Sequence, residues 1–225
     1  MHTMNYFSLC LLLTASLALA DEKPVALLDG KSLKGWVTEK GEPAQLDTGW
    51  TYEADGVLHL KAGSKAGNLL TDRDYTSFIL EWDWKVAPGG NNGVKYRVKK
   101  YEKGGWLGPE YQMLDDSKHP DGKAGASHTT ASIYYLYEPA VDKPLNPAGQ
   151  WNHSKIALQG NHVEHWLNGK KTCEAQIGSA DWKERVAKSK FNKAGDFGEN
   201  TAGRIMITYH NDETWYRNLV VTELK

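Results

Sequence analysis

Asn152–Ala175, NHSKIALQGNHVEHWLNGKKTCEA, decides the fold class. Gly160-Asn161 and Asn168-Gly169 are residue pairs that accept the positive φ of tight hairpin turns, and each separates segments of strand length. The stretch therefore reads as three antiparallel strands, Asn152–Gln159, His162–Leu167 and Lys170–Ala175. Further toward the N-terminus, Thr76–Val86 (TSFILEWDWKV) sets Phe78, Leu80, Trp82 and Trp84 on one face and Ile79, Glu81, Asp83 and Lys85 on the other. That period of two is a strand with one face in a core and one face largely charged. Trp50–Glu53 and Val57–Leu60 flank Ala54-Asp55-Gly56, another hairpin signal.

The same reading makes VALLDGKSLKGW (25–36) an edge strand, an Asp29-Gly30 turn and a docking Trp36, with further strands at Asn68–Leu70, Val94–Val98, Ala131–Leu136, Gly203–Thr208 and Thr214–Leu224. One helix is expected, over Asp181–Lys188, with Ser179 as its cap and Trp182 and Val186 on its buried side. Many short alternating strands with one helix predict an all-β protein, an antiparallel jelly-roll β-sandwich.

Residues 1–20 end in Ala18-Leu19-Ala20 after an apolar run, which predicts a secretory signal peptide cut before Asp21 and a single domain over 21–225 that is periplasmic or secreted. Nothing after it offers ~20 consecutive apolar residues, so no membrane span is expected. Removing the leader leaves one cysteine, Cys173, and no intrachain disulfide can form. The net charge is −1 and no long basic or acidic run occurs, which argues against a nucleic-acid partner. Nine Trp and eleven Tyr against four Phe supply rings with a polar handle, suited to sugar faces as well as to cores.

Gly108–Asp116, GPEYQMLDD, carries the candidate chemistry. In a strand Glu110 and Gln112 share one face, while Tyr111 and Met113 share the other. Ala87–Gly93, APGGNNG, precedes a strand in which Lys95 and Arg97 would share a face, and its glycines let the backbone approach a neighbour or a ligand closely. Lys95, Arg97, Glu110 and Gln112 are therefore expected side by side in a concave cleft. Asp115 and Asp116 read as loop-capping residues.

LLDGKSLKGW, PGGNNGVKYRV, GPEYQMLDDSKHPDGKAG, GQWNHSKI, GNHVEHWLNGKK, AKSKF and WYRNLVVTEL, taken in order, resemble the 3-keto-disaccharide hydrolase domain over about residues 25–225. The resemblance implies a concanavalin A-like jelly roll and an exported enzyme acting on glycosides whose glucose unit is oxidised at carbon 3. It also implies lyase chemistry: the ketone acidifies the hydrogen on carbon 2, so a base removes it, the glycosidic oxygen leaves carbon 1, and water adds back. Such a site needs a general base, an electrophile for the enolate oxygen and a donor for the leaving oxygen.

Onto matching positions the resemblance carries Glu110, Gln112, Lys95, His165 and His210, with His210 or Glu110 as base and Lys95 stabilising the enolate. Arg97, Asn92, Trp166 and His128 complete the candidate substrate-binding set. A divalent metal is one candidate cofactor, though the sequence requires none. The chain departs from the family pattern by reading Thr208-Tyr209-His210 in place of a glutamine-aspartate-histidine run, and by reading His128 and Ser132-Ile133-Tyr134-Tyr135 in place of an arginine and a serine-leucine-tyrosine-aspartate run. The missing aspartates argue against a metal there. They keep open a non-catalytic carbohydrate-binding module or lectin on the same fold. In both readings the partner is a carbohydrate, and no oligomeric state is legible.

Overall fold

The computed structural model describes residues 23–225, so the expected leader lies outside the described residues. In chain order the strands are β1 (Val25–Ala26), β2 (Trp36–Val37), β3 (Trp50–Tyr52), β4 (Leu58–Leu60), β5 (Leu69–Thr71), β6 (Phe78–Val86) and β7 (Asn91–Tyr101). They continue with β8 (Gly105–Leu107), β9 (Glu110–Leu114), β10 (Asn152–Gln159), β11 (His162–Leu167), β12 (Lys170–Gln176), β13 (Arg204–Ile207) and β14 (Thr214–Glu223). Two antiparallel sheets form. The first runs β12-β11-β10-β6-β14-β4-β3 with β1 beside β14, and the second runs β2-β5-β13-β7-β8 with β9 beside β7. Together they make a jelly-roll β-sandwich.

The inner faces meet through aromatic side chains. In β6, Phe78, Leu80, Trp82 and Trp84 are buried and the intervening residues are partly exposed, as alternation requires. The Trp82 ring stands edge-on to Tyr111 of β9 with centroids 5.0 Å apart. The polar atoms of these rings are satisfied in series: Trp84 Nε1 donates to Ser154 Oγ (2.7 Å), Ser154 Oγ to the Tyr111 hydroxyl (2.8 Å), and that hydroxyl to the Trp166 carbonyl (3.1 Å). A buried polar group left unpaired would be costly, so this chain fixes the spacing of the two sheets as well as joining them.

The one α-helix among the described residues, α1 (Ala180–Lys188), starts where Ser179 Oγ accepts from the Trp182 amide and buries Trp182 and Val186. Trp182 Nε1 donates to the Phe197 carbonyl at 2.9 Å, which ties the helix to the segment that follows it. That segment matters below, because it carries Lys190 and Phe191.

Three expectations are corrected. Ala131–Leu136 is not a strand: Ile133 makes only isolated bridges to Tyr111 and Tyr137, and Ala131 and Tyr135 take φ of 66° and 70°. Left-handed residues break a ladder. Asn91-Asn92-Gly93 belongs to β7 rather than to the preceding loop. And β7 is bulged: β13 pairs Arg204 with Val98 but Met206 with Lys95, so β7 carries one extra residue there, and Arg97 has φ 50°.

Candidate active site

Lys95 and Glu110 are directly opposite on β7 and β9, so their side chains leave the same face of the second sheet. The Glu110 carboxylate sits between two nitrogen partners: Oε2 is 3.8 Å from Lys95 Nζ and Oε1 is 3.8 Å from His210 Nε2. It is nearly inaccessible, with 6% of its side chain exposed, against 40% for His210. Burial by itself would raise the Glu110 carboxyl, but Lys95, then His210 and Lys190, outweigh it and hold the group below its ordinary value. Glu110 is a buried carboxylate kept ionised by its neighbours.

Gly93 explains the glycine-rich approach to this strand. It lies opposite Gln112 on the same face, and a Cβ there would overlap the Glu110 carboxyl group. Gly93→Ala is therefore expected to displace Glu110 and lower turnover by about 10²-fold, the usual size of an ångström-scale misplacement. Steady-state kinetics with a thermal melt checks this. Unchanged turnover in a folded variant would show that the carboxylate can give way.

A cavity of about 490 Å³ opens on the Lys95 side of Glu110, walled by Leu107, Lys190, Phe191 and Ala194, with Lys103 and Lys193 also lining it. Lys190 Nζ lies 4.4 Å from the Tyr134 ring centroid, and the Tyr134 hydroxyl donates to Asp121 Oδ2 at 2.9 Å. Burial, partly offset by the charge of Glu110, holds the Lys190 ammonium below its ordinary value. None of these residues was assigned a role from sequence, although AKSKF, which contains Lys190, is among the motifs of the resemblance. Lys190 is eighty residues from Glu110 in the chain, and only the turn after α1 brings them together.

The other candidates divide. Gln112 shares the Glu110 face but is buried, and its Nε2 donates to the His128 carbonyl at 3.4 Å. His128 does not line the cavity; its ring stands edge-on to Tyr134 and Tyr135. Arg97 is not beside Lys95. The bulge turns it to the opposite face, where its guanidinium donates to Asn161 Oδ1 (3.0 Å) and to the Gly198 (3.1 Å) and Gly160 carbonyls, pinning the β10–β11 turn.

Asn92 also faces inward. Its Oδ1 accepts from Thr208 Oγ1 (3.0 Å) and the Tyr216 hydroxyl (2.8 Å), so it is a joint between the sheets. His165 lies in the core with Val163 and Leu167, bonded to the Ser132 carbonyl and the Tyr96 hydroxyl. Trp166 is on the other face of β11, under the Lys155 ammonium at 3.9 Å, away from the cleft.

Among the described residues, the grouping of ligand-type side chains that could hold a metal is His162, Glu164 and Glu174, on the outer face of the first sheet, where the Lys171 ammonium already bridges both carboxylates at 3.2 and 2.8 Å. At the cleft, Glu110 and His210 offer two ligand atoms beside the Lys95 ammonium, whereas Ca²⁺ or Mg²⁺ takes six or more donors.

The family model of the 3-keto-α-glucoside-1,2-lyase-like domain matches residues 23–222. The chain belongs to this family. A 3-keto-disaccharide hydrolase of Bacteroides thetaiotaomicron is 32% identical, across 89% of this chain and 78% of that protein. Two crystal structures from Parabacteroides distasonis, both assigned to the glycosyl hydrolases, share the lyase-like domain's architecture. One superposes with a TM-score of 0.79 at 32% identity, covering 90% of this chain and 94% of that one, and the other with 0.68 at 26% identity, covering 90% and 100%. No helix among the described residues is long and apolar enough to cross a membrane.

Proposed function

We propose that the protein cleaves the glycosidic bond of 3-keto-glucosides by proton abstraction at carbon 2, elimination and hydration. The observation that carries this reading is the Glu110 carboxylate held between Lys95 and His210 at the edge of a cavity whose lining, among the described residues, holds no second carboxylate. An ordinary glycosidase needs two carboxyl groups across the scissile bond. A 3-keto-glucoside does not, because its carbon 2 hydrogen is already acidified. Family membership and the Bacteroides relative support the same substrate class.

The roles follow from exposure and charge. His210, the more accessible partner, takes the carbon 2 proton, as an imidazole suits base chemistry near neutrality. Glu110 orients that ring and stabilises the imidazolium. The Lys95 ammonium receives the negative charge that develops on the carbon 3 oxygen. As the carbon 1–oxygen bond breaks, the imidazolium returns its proton to the departing oxygen. Water then adds its hydroxyl to carbon 1 and its proton to carbon 2, giving net hydrolysis.

The purified protein is expected to cleave a 3-keto-glucoside, to leave the unoxidised glucoside intact, and in deuterium oxide to place deuterium at carbon 2 of the product sugar. Comparable cleavage of the plain glucoside without exchange would replace this reading with ordinary acid–base hydrolysis. Binding without turnover of either sugar would favour a lectin. Export is part of the proposal: N-terminal sequencing of protein from the cell envelope or medium should begin at Asp21, and a chain starting at Met1 would rule the leader out.

A further inference from the structure

Among the described residues, the cavity beside Glu110 is lined by Lys95, Lys103, Lys190 and Lys193 against one carboxylate. That carboxylate is already engaged by Lys95 and His210. Among the described residues, neither Lys103, Lys190 nor Lys193 has a carboxylate oxygen within ion-pairing distance, while nearby Asp196 is committed to Lys99. Glu102, the chain neighbour of Lys103, does not line the cavity. Protein surfaces ordinarily intersperse both signs of charge. Three unpaired ammonium groups around one concave space make a local positive field that concentrates anions. The space is of ligand size, and Leu107 and Phe191 give it apolar walls against which a ring can lie.

We propose that the Lys103–Lys190–Lys193 end of this cavity is a subsite for an anionic group, a carboxylate or a phosphate, carried by the unit that departs from carbon 1. The inference rests on the proposed function for its orientation, with the keto ring at Lys95, Glu110 and His210 and the leaving unit toward the turn between β7 and β8. It narrows the substrate class to acidic glycosides. Ammonium groups bind carboxylate and phosphate alike as point charges, so both sources belong in the test.

The test compares three 3-keto-α-glucosides whose leaving units are 4-hydroxybenzoate, 4-hydroxyphenyl phosphate and the neutral 4-hydroxybenzamide. At low salt the charged substrates are expected to exceed the amide in kcat/KM by ~10-fold, mostly through KM, and the advantage should shrink near 0.5 M salt as screening sets in. In a Lys103→Gln/Lys193→Gln double variant the charged-to-neutral ratio should fall toward one. Equal kcat/KM for all three substrates, or a ratio that the substitutions leave unchanged, overturns the subsite while leaving the proposed reaction standing. If none is cleaved, the reaction is wrong and the subsite is read separately, by calorimetry with the unoxidised α-glucosides of 4-hydroxybenzoate and 4-hydroxybenzamide. Tighter binding of the carboxylate that the double variant abolishes supports the subsite, and equal binding refutes it.

Discussion

Glu110→Gln is expected to lower turnover of a 3-keto-glucoside by ~10²-fold or more, and His210→Ala by a similar factor. The glutamine keeps the shape of the carboxylate but removes the charge that faces Lys95 and His210, each 3.8 Å away. The loss should fall on kcat, because the charge acts on the imidazolium that exists only once the proton has moved. A buried carboxylate held below its ordinary value stays ionised through neutral pH, so the effect of Glu110→Gln should persist across pH 6 to 8. If the two residues act as one unit, the double variant will be little worse than the more damaged single variant, since groups that work together are strongly non-additive. Single-turnover kinetics on folded protein decides it. A change under about threefold for both variants would remove them from the chemistry, and multiplicative losses would show that they act separately.

Local rules carried the fold a long way. The alternation of β6 and the Gly-Asn and Asn-Gly turns are decided within a few residues, and the pairing of Lys95 with Glu110 needs only two strands in register. The expectations that failed depend on the rest of the molecule. Arg97 was placed beside Lys95 by strict alternation, and one extra residue in β7 reverses its direction. The bulge has no signature in Lys95-Tyr96-Arg97-Val98; its partner is the skipped register of β13, more than a hundred residues away.

The resemblance carried His165 toward the cleft, and Asn92 was assigned there from the glycine-rich stretch Ala87–Gly93. Polar side chains read as surface, yet each sits where the core supplies its hydrogen bonds. The strand parity of His165 already pointed inward, since it shares a face with Val163 and Leu167. Lys190 lies in a turn with no periodicity, and its position is set by where α1 ends and by Ser189, whose Oγ accepts from the Phe191 amide at 3.0 Å. The Lys95–Glu110 pairing of the candidate site was thus legible, and the approach of Lys190 was not.

His165 leads to the second large expectation, a loss of stability in mild acid. The Ser132 carbonyl can only accept, so His165 Nδ1 carries the proton and Nε2 accepts from the Tyr96 hydroxyl, with contacts of 3.1 and 3.2 Å. Burial pushes the imidazole down to about 3, because a charged ring among Tyr96, Tyr111 and Cys173 would be desolvated. In the unfolded chain the ring titrates near its ordinary 6.5. Between about 3 and 6.5 the unfolded state therefore holds one more proton than the folded state, and stability falls as pH is lowered through that window; above it the group has no effect. From pH 7 to 5, before ordinary carboxylates protonate, the loss from this residue alone is about 2 kcal/mol. Urea unfolding of wild type and His165→Gln at several pH values isolates it, because the variant keeps every other titrating group. The variant's stability should change less over pH 7 to 5 than the wild type's by that amount, whatever its absolute stability. Parallel pH profiles for the two proteins would mean that the buried imidazole accepts a proton in the folded state, and hence that Tyr96 and Ser132 do not hold it neutral.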